Sequence, residues 1–160
     1  MIERIIEEQP KLILIGAATR STYRVEENGV KLSRRASEPL LVDGMVKTIN
    51  RLRRETGATI IMIRDKSLGP SDTDSCVLEN PKQLAKCAFA PYDREPRAFE
   101  GKAARKAGIR QVDPQKMLCT EKICPPVIGN VLVYRDSGHV TATYSETMAF
   151  WFRRILEQYK

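Results

Sequence analysis

Apolar and polar positions follow two rhythms along this chain. In "MIERIIEEQP", Ile2, Ile5 and Ile6 recur at helical spacing among acids, and the pattern stops at Pro10. "KLILIGA" is a compact apolar run that ends in glycine, the signature of a buried strand. The polar stretch that follows carries an Asn-Gly turn signal at 28–29. From Pro39 to Glu55 the rhythm is helical again: Leu41, Val42, Met45, Ile49 and Leu52 share one face, and Gly57 supplies a stop. "ATIIMIR" predicts a second buried strand, rich in β-branched residues. Residues 65–97 lose periodicity and predict a long loop insertion. "PRAFEGKAARKAGI" predicts a helix, "IRQVD" a short third strand, and "NVLVY" a fourth strand or ladder segment. From Thr141 the chain reads as helix to its end. Tyr144, Met148, Trp151, Phe152, Ile155 and Leu156 form its apolar face, with caps available at Thr141 or Thr143. Helices that alternate with buried strands predict an α/β fold with a parallel sheet.

A chain of 160 residues suffices for one domain with its own core. No apolar run approaches the roughly 20 residues of a membrane span, and the acidic N-terminus lacks the basic start of an export signal. The net charge of +7 admits anionic partners. The basic residues, however, sit in "RLRRETG", "GKAARKAGIR" and "FRRILEQYK", where they fit solvated helix faces. No aromatic platform accompanies them, so nucleic acid is not an expected partner. No cofactor motif and no metal-ligand set is read.

Four cysteines form two local pairs, Cys76 with Cys87 and Cys119 with Cys124. Two loop disulfides are the favoured reading, which implies an oxidising compartment. Free thiols are the plain alternative. Zinc fits poorly, because "CTEKIC" resembles one knuckle and "CVLENPKQLAKC" does not supply a second.

The only histidine lies in "YRDSGHVT", three residues after Asp136. An aspartate can accept a hydrogen bond from one ring nitrogen of His139 and fix the tautomer. The other nitrogen can then take a proton from a hydroxyl nucleophile. The plain alternative is a loop histidine beside an aspartate that shapes a turn.

"CPPVIGNVLVYRDSGHVTATYSETMA" closely resembles the C-terminal end of SGNH-hydrolase-like domains. More narrowly, it resembles those fused to bacterial membrane acyltransferases that O-acetylate cell-surface glycans such as O-antigen or peptidoglycan. "IIEEQPKLILIGA", "VKTINRLRRETGATIIMIRD", the paired cysteines and "CAF" extend the resemblance over nearly the whole chain. The resemblance implies a flavodoxin-like three-layer αβα fold and an acyl-transfer or ester-hydrolysis site. In it, a serine of a Gly-Asp-Ser motif attacks, His139 is the base and Asp136 orients it. It further implies a glycan or acyl-ester substrate, an upstream membrane segment and a periplasmic location.

This chain contains no Gly-Asp-Ser. The resemblance places that motif after the first strand, whereas Met1 falls just before the third. The expectation is therefore a single partial SGNH-like domain over 1–160, with a sheet whose first two strands are missing. Its open edge is prone to self-association. The asparagine that donates to the oxyanion in many relatives is also absent. "GAATRS" offers Thr19, Arg20 and Ser21 in its place. Two functions follow: the base-bearing part of an acyltransferase or esterase, or a stand-alone remnant or binding module without chemistry.

Overall fold

The computed structural model describes residues 1–17, 24–91 and 99–159. The chain divides into two units, residues 1–65 with 94–113 and residues 66–93 with 114–160.

The first unit is built on a parallel sheet. Strands β1 (Leu12–Gly16), β4 (Thr59–Ile63) and β5 (Arg110–Val112) lie in the order β1-β4-β5. Leu12 pairs with Thr59 and Gly16 with Ile63, while Ile61 pairs with Arg110 and Ile63 with Val112. Helix α1 (Ile2–Glu8) precedes β1, α2 (Arg34–Thr56) links β1 to β4, and α4 (Phe99–Ala107) precedes β5. Ile13, Ile60 and Met62 project from one face into a core with Ile49 and Leu52 of α2 and Ala104 and Ala107 of α4. Burying each large side chain contributes about 1.5–3 kcal/mol. Small residues let α4 lie close, with Gly101, Ala103, Ala104 and Ala107 all buried. Ion pairs Lys102–Glu38 and Lys106–Asp43 join it to α2 along the outside. On the opposite face Ile61 is fully buried, but its neighbour Leu14 on β1 is 42% exposed. Among the described residues no strand pairs with the outer edge of β1.

Helix α2 begins five residues before the predicted start and contains Pro39. Ser33 explains the difference. Its hydroxyl accepts the Ala36 amide and caps the helix, a stronger start signal than the proline ring. The Asn-Gly signal is realised as the hairpin of β2 (Glu26–Glu27) and β3 (Val30–Lys31), with positive φ at Asn28 and Gly29.

The second unit has little regular structure and is tied by covalent and aromatic links. The predicted loop insertion holds a short helix, α3 (Thr73–Glu79), and a 3-10 turn, Leu84–Cys87. A disulfide between Cys76 and Cys87 joins the two. A second disulfide, Cys119–Cys124, follows α5 (Gln115–Leu118). The favoured cysteine reading is thus observed, and no thiol remains free for zinc. "NVLVY" does not join the parallel sheet. Val131–Leu132 forms β7 and pairs antiparallel with β6 (Val127–Ile128) across a turn with positive φ at Gly129 and Asn130. The C-terminal helix is split into α6 (Ala142–Thr147) and α7 (Ala149–Leu156). Thr141 is the cap, accepting the Tyr144 amide at 3.2 Å. Tyr144 and Met148 of the predicted apolar face are buried with Leu118, Cys124, Val133 and Tyr134. Phe152 packs against that core only in part.

With both disulfides formed, denatured and unreduced protein should show no free thiol in a colorimetric titration; four would exclude the pairing. Replacing either cysteine pair by serine should lower stability by about 2–3 kcal/mol in a urea melt.

Candidate functional site

Asp136 and His139 meet in a tight turn at the end of a short antiparallel connection. Tyr134 and Val140 form a bridge, and the Arg135 amide donates to the His139 carbonyl at 3.0 Å. The Thr141 amide donates to the Val133 carbonyl at 2.9 Å, which ties the start of α6 to the strand before the turn. These bonds tie both ends of residues 135–139 to each other.

Inside the turn one carboxylate organises everything. Asp136 Oδ1 accepts the Gly138 amide at 2.8 Å and the His139 amide at 2.9 Å. The same carboxylate faces His139 Nδ1, at 2.8 Å from Oδ1 and 2.9 Å from Oδ2. In neutral imidazole this arrangement puts the proton on Nδ1 and leaves Nε2 as the acceptor. His139 is 61% exposed and Nε2 makes no hydrogen bond to a described residue. The Gly138 amide above all holds the Asp136 carboxyl down at about 2, helped by the His139 ring and by Arg135. The carboxylate is consequently ionised throughout the range in which an imidazole can act as a base.

The floor of the turn is aromatic. Tyr134 is fully buried, and burial pushes its hydroxyl well above the ordinary value. Its OH lies 3.6 Å from Cys119 Sγ, in the second disulfide. Phe89 meets the Tyr134 ring edge-on at 5.1 Å and exchanges two backbone hydrogen bonds with Cys124. The loop after β4 reaches the same turn, because the Gly69 amide donates to the Ser137 carbonyl at 3.0 Å. Ser67 in that loop is buried, and both its amide and hydroxyl donate to Gln115 Oε1.

The structure thus brings together Asp136 and His139. It places no serine or threonine hydroxyl within hydrogen-bond reach of Nε2 among the described residues. Ser137 takes part through its carbonyl. Thr19, Arg20 and Ser21 lie outside the described residues. Gly69 and Phe89 were not legible as site residues. A glycine in "SLGP" signals a turn, and nothing local to it points to residue 137. Among the described residues no group of His, Cys, Asp or Glu could hold a metal ion, and no helix is long and apolar enough to cross a membrane.

Residues 1–153 match the family model described as "SGNH domain (fused to AT3 domains)". No curated protein sequence matches the chain. Among solved structures, the periplasmic domain of the lipopolysaccharide acetyltransferase of Salmonella ser. Paratyphi A superposes with a TM-score of 0.66 at 20% identity. The match covers 97% of this chain and 60% of that one, so the chain spans about three fifths of that domain's length.

The sign of the pH effect follows from the depressed Asp136 value. The turn's contribution is fully present above the unfolded carboxyl value of 3.8 and is lost as pH falls through about 2. A carbon-detected titration should therefore place the Asp136 carboxyl midpoint near 2. A midpoint at the ordinary value would contradict the three hydrogen bonds.

Proposed function

We propose a function from one premise: the chain belongs to the family of SGNH domains that occur fused to AT3 domains. It is the base-bearing part of an acyltransferase or esterase site that transfers or hydrolyses O-acetyl groups on cell-surface glycans. The observation that carries this reading is the Asp136–His139 hydrogen bond, which leaves Nε2 exposed and accepting.

The chemistry runs as follows. A serine hydroxyl, supplied by a Gly-Asp-Ser segment upstream of this chain, attacks the acyl carbonyl. His139 Nε2 takes its proton as the serine–carbonyl bond forms, and the resulting imidazolium is stabilised by ionised Asp136. The proton then passes to the departing oxygen, and the acyl group stays on the serine. A glycan hydroxyl or water, deprotonated by the same nitrogen, releases it in the second half. The turn supplies tautomer and orientation.

Three further observations support the setting. The related Salmonella domain is titled as periplasmic and as part of a lipopolysaccharide acetyltransferase. Two disulfides suit an oxidising compartment outside the cytoplasm. The edge of β1, unpaired among the described residues, and its exposed Leu14 suit a domain completed by an upstream segment attached to the membrane acyltransferase.

The first test is the DNA ahead of the Met1 codon. An in-frame Gly-Asp-Ser is expected there, and the protein extended to include it should release acetate from an aryl acetate. In that protein His139→Ala should lower kcat/KM by roughly 10²–10⁴-fold, and Asp136→Asn should also lower it through the wrong tautomer. Absence of the motif in every frame, or activity that survives His139→Ala, would favour a binding module without chemistry. The chain by itself should sediment as a species heavier than 18.1 kDa. A monomer that unfolds cooperatively well above room temperature would refute the open edge as a point of self-association.

A further inference from the structure

Gly69 touches the turn from outside, at its middle residue. Its amide donates to the Ser137 carbonyl at 3.0 Å, and Ser137 lies between Asp136 and Gly138, whose amide is the first to hold the carboxylate. A Cβ at position 69 would lie 3.1 Å from both Cε1 and Cζ of Phe89 and 3.6 Å from Thr73 Oγ1. Those neighbours have little room to yield. Thr73 is buried and its hydroxyl donates to the Pro70 carbonyl. The Phe89 ring rests edge-on against buried Tyr134. The Phe89 amide donates to the Cys124 carbonyl at 3.2 Å, and its carbonyl accepts the Cys124 amide at 2.7 Å. Two residues earlier Cys87 is locked to Cys76, and Cys124 is locked to Cys119. Both disulfides therefore bear on the wall against which Gly69 passes.

We propose that Gly69 is a positioning residue for the Asp136–His139 pair: lacking a side chain, it slips past Phe89 and clamps the Ser137 carbonyl, so that the turn presents its amides and imidazole to one carboxylate. Its bearing on catalysis rests on the acyl-transfer reading of that pair; its bearing on the turn does not. A methyl group at 69 must either displace the Phe89 ring or back the loop away from Ser137. The tightness of the contact falls within the range where a neighbour gives by a few tenths of an ångström. Because the ring is braced, the loop is what yields. Leucine at 89 lacks the two ring atoms that the methyl group would meet, so Phe89→Leu should relieve Gly69→Ala.

The test reads the turn without any enzymatic assay. The chain has one histidine, so a single set of imidazole nitrogen signals reports its tautomer. In the wild type, the neutral ring should be protonated at Nδ1, with the Asp136 midpoint near 2. In Gly69→Ala the midpoint should rise by about half a unit or more toward 3.8, and the ring should become a mixture of tautomers. The double variant Gly69→Ala/Phe89→Leu should restore both, and Phe89→Leu alone should leave both in place. A folded Gly69→Ala whose Asp136 and His139 signals match the wild type would overturn the proposal, as would a double variant that restores neither. Wild-type hydrogen exchange covers the case in which the variant does not fold. The Gly69 amide should exchange far more slowly than an open loop amide, and exchange at the open rate would also overturn it. Activity that survived His139→Ala in the extended protein would remove the acyl-transfer reading and leave these readouts untouched.

Discussion

The arrangement of the site depends on how one carboxylate is occupied. Asp136 accepts two backbone amides and one imidazole nitrogen, all from Gly138 and His139. The backbone bonds make a turn that this sequence can form locally, and the turn brings the imidazole to the same oxygen. The ring bond in turn fixes a tautomer. The lowered carboxyl value is the electrostatic expression of that crowding of donors, led by the Gly138 amide. A turn that needs an ionised aspartate for its own shape thereby guarantees an ionised partner for the histidine.

Local hydrogen bonds would fray in water without a rigid setting. The second unit supplies one with few elements and a small apolar core. Tyr134 opens the turn and is wholly buried, with Phe89 across its ring and the Cys119–Cys124 disulfide at its hydroxyl. Thr141 closes the turn by capping α6 while its own hydroxyl donates to the Leu132 carbonyl at 2.5 Å. Disulfides contribute where a region has too little regular structure to hold itself. Here they lie in the unit built of short helices and two-residue strands, and the sheet unit has none.

Legibility in the sequence followed range. "ATIIMIR" read as a buried strand because both faces of a central parallel strand are apolar, and Ile60, Ile61 and Met62 are indeed buried together. "KLILIGA" read the same way, but β1 lies at the edge of the described sheet, where Ile13 is buried and Leu14 is 42% exposed. The Asp136–His139 pair was legible because its bonds span three residues. Cysteine pairing was legible as a preference, since spacings of 11 and 5 suit loop closure better than zinc knuckles. Three features were not. The start of α2 depended on a serine cap competing with a proline. "NVLVY" has strand composition, and composition does not say whether its partner is a parallel neighbour or the segment just before it. Gly69 and Phe89 act on the turn from 68 and 48 residues away in sequence, a coupling no local pattern encodes.

The two parts of an acid–base and nucleophile system place different demands on a chain. A base whose orienting partner is three residues away carries its geometry with it. It needs only a braced turn, which the 114–160 segment and the loops around Gly69 and Phe89 provide. A nucleophilic serine has no such autonomy, because it becomes reactive only where a base and oxyanion donors already converge. A preformed Asp–His turn with an exposed, accepting Nε2 is therefore compatible with a fold whose serine arrives on a separate segment. In the sheet unit, the outer edge of β1 has no strand partner among the described residues. A parallel strand with one edge unpaired among the described residues, carrying a leucine left 42% exposed, offers hydrogen bonds and apolar area to any further strand.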